Sequence, residues 1–293
     1  MIQGITGREG RMTAEHMLAY GTCVVAGVTP GKGGESVHGV PVFDTVLDAV
    51  AALGAGSIGV SVVIVPPLAT LQAVADVVQQ AGCDVVIATE GAPRHDVLRL
   101  LAIARDAGVA VVGPNSVGVI QPGRRRKLGA IGGDRPDRAF VPGSIGVVSR
   151  SGGMTSEIGL TLKLAGLGVS AAISVGGDDA IGLPPASAAR LLQAVTGTRA
   201  ICYFGEPGTA FEEDLASAIA GGSLTVPVVA LVAGTFTESL PEGTAFGHAA
   251  AIIRRGSGRP SDKRRMLAEA GAIVVESLDD MASAVAGLVG GAG

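Results

Sequence analysis

His248 is the residue with the most reactive surroundings in this sequence. It sits in Phe246-Gly247-His248-Ala249-Ala250-Ala251-Ile252-Ile253, where small neighbours let a large group approach the imidazole. An imidazole nitrogen can attack a phosphoryl group and hold it as a phosphohistidine. That intermediate needs a site for its negative charge and a group to orient the ring. The stretch Ser149-Arg150-Ser151-Gly152-Gly153-Met154-Thr155 joins a strand pattern to a helix pattern. Its small residues leave the first helical N–H groups open to an anion. Glu206, in Gly205-Glu206-Pro207-Gly208, could hold the imidazole through its second nitrogen. His16, His38 and His95 read as partly exposed structural residues.

A second group of turns points to another anion. Gly4-Ile5-Thr6-Gly7-Arg8-Glu9-Gly10 lies between a strand and a helix, although its glycines do not follow the GxGxxG order of dinucleotide enzymes. The bland alternative is an ordinary tight turn. Thr29-Pro30-Gly31-Lys32-Gly33-Gly34 follows the next strand. Dinucleotide folds place an acidic residue there for ribose hydroxyls. Lys32 suits a phosphorylated ribose or a pyrophosphate better, and it argues against a nicotinamide dehydrogenase. Ala88, Thr89 and Glu90 end a later strand, and Gly113-Pro114-Asn115-Ser116 ends the one after it. Ligands of open parallel sheets bind beyond the carboxyl ends of the strands, which puts these residues on one rim. Ser116 lacks the G-x-S-x-G elbow of a hydrolase nucleophile. Gly176-Gly177-Asp178-Asp179 occupies the corresponding place in the second half of the chain.

Alternating strands and helices must position these turns. Strand patterns cover 1–3, 23–27, 60–65, 84–88 and 109–112, with helix patterns near 11–19, 45–53, 68–81 and 94–107. This alternation predicts βαβ units and a parallel sheet. Residues 113–142 are rich in Gly, Pro and Arg. A second series has strands at 145–149, 169–174, 200–204, 226–232 and 273–275, with helices near 154–165, 186–194, 209–220, 261–270 and 280–288. The expected organisation is α/β throughout: a Rossmann-like domain over 1–120, a linker over 121–142 and a flavodoxin-like domain over 143–293. The first strand begins at Met1, so a misassigned start or an upstream strand residue is expected.

Composition excludes several classes. Gly accounts for 46 residues without a G-X-Y period, and hydrophobic residues for 47%, so the chain is neither collagenous nor disordered. The formal net charge of −4 gives no basic footprint for nucleic acid. The run Arg124-Arg125-Arg126-Lys127 reads as a solvated loop. No apolar stretch is long enough for a membrane span, and no signal-peptide pattern opens the sequence. Cys23, Cys83 and Cys202 fit reduced thiols rather than a disulfide frame or zinc site, so a cytoplasmic location and no bound metal are expected.

Taken together, the motifs resemble the alpha subunit of succinyl-CoA synthetase, the NDP-forming succinate–CoA ligase. The matching stretches are QGITGREG at 3–10, AYGT at 19–22, VAGVTPGKGG at 25–34, ATEG at 88–91, GPNSVGV at 113–119, GVVSRSGGMTSE at 146–157, GGD at 176–178 and GHAAAII at 247–253. The resemblance implies a CoA-binding domain followed by a ligase domain. In the reaction it implies, an acid is activated as an acyl phosphate and then captured by CoA, with His248 carrying the phosphoryl group between steps. It further implies that Thr6, Gly7, Arg8 and Glu9 cradle CoA, with Lys32 on its phosphates and Ala88, Thr89, Glu90 and Asn115 completing the site. Ser151, Gly152 and Gly153 would face the phosphohistidine, with Glu206 supporting it. ATP or GTP with Mg²⁺ would sit on a separate ATP-grasp beta subunit, in an αβ or α2β2 assembly. Several residues depart from the family pattern. Ser156 stands where relatives often have a Tyr that contacts the acid, which would admit a bulkier acid such as malate or citrate. SGGM and Phe246 are similar to ATP-citrate lyase and citryl-CoA synthetase, and Ala250 replaces a glycine of GHAGA. These changes also fit a CoA-binding paralogue without turnover.

Overall fold

The computed structural model describes residues 1–239 and 258–290. The chain divides into two compact units. The first comprises 1–118, 125–134 and 180–183, and the second 119–124, 135–179 and 184–293.

In the first unit the strands are β1 (Ile2–Gln3), β2 (Gly27–Val28), β3 (Ser36–Val37), β4 (Val40–Phe43), β5 (Val60–Val63), β6 (Asp84–Ile87) and β7 (Val111–Val112). They lie in the order β3-β4-β2-β1-β5-β6-β7. All neighbours are parallel except the β3–β4 hairpin. Set the hairpin's outer strand aside and this is the doubly wound 3-2-1-4-5-6 order. The helices are α1 (Arg8–Tyr20), α2 (Val46–Leu53), α3 (Thr70–Asp76, prolonged by a π-turn to Ala81) and α4 (Arg94–Asp106). Alternation along the strands explains why both faces are covered. Val63, Val85 and Ile87 pack on one side with Val46, Val74 and Leu100, whereas Val62 and Val86 pack on the other with Ile5, Ala14 and Met17.

The second unit contains β8 (Val119–Gln121), β10 (Pro142–Ser149), β11 (Val169–Ser174), β12 (Ala200–Gly205), β13 (Val228–Val232) and β14 (Ile273–Val274). The intervening β9 (Arg126–Leu128) belongs to the first unit. Within the second unit the order is β14-β13-β12-β10-β11-β8. Five strands are parallel, in the 2-1-3-4-5 arrangement of flavodoxin-like sheets, and β8 adds an antiparallel edge on β11. Helices α5 (Gly152–Leu164), α6 (Pro185–Gln193), α7 (Phe211–Ala220), α8 (Pro260–Glu269) and α9 (Leu278–Gly290) complete it. Among the described residues no helix is long and apolar enough to cross a membrane.

Two expectations need correction. Residues 113–142, expected to hold the linker over 121–142, carry strands β8 and β9 and bury Ile131 and Phe140. The basic run is not wholly solvated either. Lys127 is fully buried, and its Nζ donates to the Gly133 carbonyl at 2.6 Å. Its backbone exchanges hydrogen bonds with Thr22: Oγ1 of Thr22 donates to the Lys127 carbonyl at 2.7 Å, and the Lys127 N–H donates back at 3.0 Å. The guanidinium of Arg125 stacks over Tyr20 at 4.8 Å. Arg126 and Lys127 thus begin a short strand that closes the carboxyl end of α1.

Burial pushes the Lys127 ammonium down to about 8 from 10.5, with Asp134 partly opposing the shift. Between those values the unfolded chain binds more protons at this position than the folded one, so stability rises with pH across that window. At about 1.4 kcal/mol per pKa unit, the gain is about 3 kcal/mol. Denaturation of wild type and Lys127→Met between pH 7.5 and 10.5 checks this. The wild-type stability should climb relative to the variant, and parallel pH curves would refute the burial cost.

Candidate functional site

An open parallel sheet leaves a crevice for a ligand where its strand order reverses. In the first unit that point lies between β1 and β5. The turn leaving β1 begins at Gly4, whose φ of +76° suits glycine. A Cβ on Gly4 would overlap the Ile64 carbonyl oxygen and stand 2.9 Å from its carbon, so the turn lies directly on the end of β5. Gly10, in the first helical turn, would bring a Cβ to 2.8 Å from Cα of Ile5. Gly7 is the N-cap of α1 and is exposed, as are Arg8 and Glu9, while Thr6 is half-buried. Three glycines therefore do here, at three-residue spacing, what the dinucleotide fingerprint does at another: a tight turn, an uncovered helix start and close packing of helix on strand. The uncovered N–H groups and the dipole of α1 fit a phosphate.

The neighbouring residues sort into two kinds. Lys32 is exposed and pairs with Glu35 at 3.0 Å. Glu90 is exposed and Ala88 half-buried. Thr89 is buried. Its hydroxyl donates to the Val65 carbonyl at 3.0 Å and accepts from the Val65 N–H at 3.3 Å, and its carbonyl accepts from the Asn115 N–H at 3.0 Å. Thr89 thus ties the ends of β5 and β6 to the turn carrying Asn115, where φ is +56°. Ser116 is buried, and its Oγ accepts from the Gly118 N–H at 2.9 Å, a bracing role rather than a nucleophile's.

In the second unit the order reverses between β10 and β12. Ser151 follows β10 and Glu206 follows β12, so the two turns flank that point. Ser151 caps α5, its Oγ accepting from the Met154 N–H at 3.4 Å, and Ser149 Oγ donates to the Ser151 carbonyl at 2.8 Å. Gly152 and Gly153 are the first helical residues. Among the described residues a Cβ at Gly153 would meet nothing within 4 Å. Ser156 is half-buried and lies four residues after Gly152, on the same side of the helix. Glu206 is half-buried. His248, with the flanking Phe246, Gly247 and Ala250, lies outside the described residues. Among the described residues no cluster of His, Cys, Asp or Glu is placed to hold a metal.

Two features escaped the sequence. Arg150, completely buried, donates to the Gly177 carbonyl at 3.3 Å and to Thr209 Oγ1 at 3.4 Å, and lies over Phe211 at 5.2 Å. It fastens the loops after β10, β11 and β12 together. Beneath the Glu206 turn, Lys263 of α8 pairs with Glu212 of α7, both fully buried. Tyr203 of β12 donates to Glu212 Oε1 at 2.6 Å. Burial and then the Glu212 carboxylate raise the Tyr203 phenol well above its usual range, so it remains the donor. An Arg between two serines at a strand end is the one hint the sequence carried of the first feature.

Residues 1–91 match the model of a CoA binding domain, and residues 142–288 match that of a succinyl-CoA ligase like flavodoxin domain. The chain is 40% identical over 285 residues to the succinate–CoA ligase [ADP-forming] subunit alpha 1 of Archaeoglobus fulgidus, covering 97% of this chain and 94% of that one. It is 38% identical over 278 residues to an ADP-forming sulfoacetate-CoA ligase subunit of Acholeplasma sp, covering 94% and 90%. The structure of ATP citrate lyase from Methanothrix soehngenii in complex with citrate and coenzyme A superposes with a TM-score of 0.89 at 23% identity. That match covers 98% of this chain and 48% of the longer one, and it speaks for the fold.

Proposed function

Because this chain belongs to the family of NDP-forming acid–CoA ligase alpha subunits, we propose that it is the CoA-binding and phosphoryl-carrying subunit of such a ligase, acting on a di- or tricarboxylic acid. The observation that carries this reading is the pair of switch-point turns, one per unit, each leading into the N-terminus of a 13-residue helix. One suits the phosphates of CoA and the other a phosphoryl group on an imidazole.

In this reading an ATP-grasp beta subunit holds the nucleotide and Mg²⁺. The γ-phosphoryl bond to NDP breaks as His248 Nε2 or Nδ1 bonds to phosphorus. The acid's carboxylate then takes the phosphoryl group, giving an acyl phosphate and free imidazole. The CoA thiolate attacks the acyl carbon, and inorganic phosphate leaves with the bonding electrons. The net reaction is acid + CoA + NTP to acyl-CoA + NDP + phosphate. This chain's residues do the holding. Gly152 and Gly153 present N–H groups to the phosphoryl oxygens, Ser151 caps the helix that carries them, and Glu206 keeps the imidazole oriented. Thr6, Gly7, Arg8 and Glu9 receive CoA, Lys32 meets its phosphates, and Ala88, Thr89, Glu90 and Asn115 shape the rim. Ser156, smaller than the Tyr common in relatives, leaves room for the acid. The reaction and the three free cysteines, two of them buried, suit a cytoplasmic enzyme.

The test is to reconstitute the chain with its ATP-grasp partner and supply γ-labelled ATP or GTP, Mg²⁺, CoA and a panel of succinate, malate, citrate and sulfoacetate. Acyl-CoA should form from succinate, malate or citrate, with an acid-labile, alkali-stable label on this chain, and product from sulfoacetate alone would overturn the di- or tricarboxylic assignment. Turnover without label would refute the phosphohistidine route. CoA binding without thioester from any acid would favour the non-catalytic paralogue.

A further inference from the structure

Helix α8 is polar, yet it buries a lysine. The Lys263 side chain is 1% exposed and that of its partner Glu212 is 0%. Apolar residues of similar volume often replace such a buried pair at no loss of stability, so stability alone does not account for it. The destinations of the ammonium's donors do. One goes to Glu212, one to the carbonyl of Gly208 and one to the carbonyl of Glu206 at 3.2 Å. Two of these three partners are thus backbone groups of the turn that follows β12. Glu212 is itself fixed by Tyr203, so the anchor is braced from both sides.

The same turn receives the chain on either side of residues 240–257. Before them, a Cβ on Gly234 would stand 2.6 Å from Pro207 Cγ. After them, the Gly208 N–H donates to the Gly258 carbonyl at 2.9 Å, and a Cβ on Gly258 would lie 2.7 Å from Gly208 Cα. Nearby, the Glu238 carboxylate accepts from the Ser261 N–H at 2.7 Å and from its hydroxyl at 2.9 Å.

We propose that Lys263 is the positioning residue for Glu206, its buried ammonium holding the backbone of the Glu206-Pro207-Gly208 turn in the one geometry that phosphoryl transfer uses. The inference rests on the reading of Glu206 given above. A carboxylate that orients an imidazole must be placed to within a fraction of an ångström. Misplacement by about 1 Å costs on the order of 100-fold in rate.

The test uses the full chain with its ATP-grasp partner and follows the rate of label transfer from γ-labelled ATP. Lys263→Met alone orphans the Glu212 charge and endangers folding. The decisive variant is therefore Lys263→Met/Glu212→Leu, which removes both charges. It should unfold cooperatively and bind CoA as wild type does, yet label about 10- to 100-fold more slowly. Glu206→Gln should show a comparable loss. Combining it with Lys263→Met/Glu212→Leu should lose nothing more, because Lys263 acts through Glu206. Multiplying losses in the combined variant would overturn the proposal, as would wild-type labelling by the folded Lys263→Met/Glu212→Leu chain. Wild-type labelling by Glu206→Gln alone would remove the role of Glu206, and the proposal with it.

Discussion

A His248→Asn chain paired with its beta subunit is expected to acquire no phosphoryl group and to make no acyl-CoA. Asparagine approximates the imidazole's size and polarity but offers no nucleophilic nitrogen lone pair. Every turnover in the proposed route passes through that nitrogen, so the fall in kcat should be roughly four or more orders of magnitude. CoA affinity should stay at the wild-type value, since the residues proposed to hold CoA all belong to the first unit. Labelling from γ-labelled ATP, resolved by stability in alkali and loss in acid, reads the first effect. Calorimetric titration with CoA reads the second. Retained label in His248→Asn would show that another group carries the phosphoryl. Lost CoA affinity would show that the substitution had damaged more than the chemistry.

The second large effect is expected from a single methyl group. In Gly10→Ala the new Cβ would overlap the Gly4 carbonyl oxygen and lie 2.8 Å from Ile5 Cα and 2.9 Å from the Gly4 carbonyl carbon. Gly4 is itself packed on the Ile64 carbonyl, so the turn has nowhere to retreat. These are backbone atoms, which cannot swing aside as the end of a side chain can. Either α1 lifts from the sheet or the β1 turn is displaced. The expected cost is about 3 kcal/mol or more in the first unit. A displaced turn also loses its aim at the ligand, so CoA affinity should fall by about 100-fold. Phosphorylation on His248 should persist. Hydrogen exchange in α1, CoA titration and labelling separate these outcomes. Wild-type CoA affinity with unchanged protection of α1 would defeat the argument.

Much of this arrangement was readable because a parallel sheet puts every strand's carboxyl end on one rim. Once Ser149 and Phe204 are recognised as strand residues, Ser151 and Glu206 must emerge together, without any three-dimensional information. Other parts had no such periodic signal. β2 covers only Gly27–Val28 instead of 23–27, because two residues suffice to pair with β1 and the preceding segment is not hydrogen-bonded as strand. The β3–β4 hairpin turns on His38 and Gly39, both at positive φ, and it hid inside a glycine-rich stretch that reads as loop. Lys127 gives no inward signal in the sequence, because four consecutive cations look like a solvated face, whereas strand alternation turns one of them inward. Lys263 lies in a polar helix and Glu212 in the acidic first turn of α7, where every neighbouring charge is plausible at the surface. Only the packing of α8 and α7 shows that these two face each other. Glu206 is offered as the group orienting His248 from its place on the rim, and the resemblance adds that it matches the glutamate supporting the active His in the family.

The interleaving of the two units along the chain bears on how the protein is made. The first unit takes Arg125–Asp134 and Ala180–Leu183 from beyond its main body. The later piece is not ornamental. The Gly182 N–H donates to the Gly113 carbonyl at 2.9 Å, at the turn that carries Asn115. Domains ordinarily mature on the ribosome in the order in which they emerge. Here the nascent first unit stays unfinished until Leu183 has left the exit tunnel, by which time β10, α5 and β11 of the second unit have already been synthesised. The rim proposed to receive CoA therefore takes its final shape only after the strand and helix on either side of Ser151 exist. A gene split or fusion placed at residue 118 would deny the first unit its last two pieces.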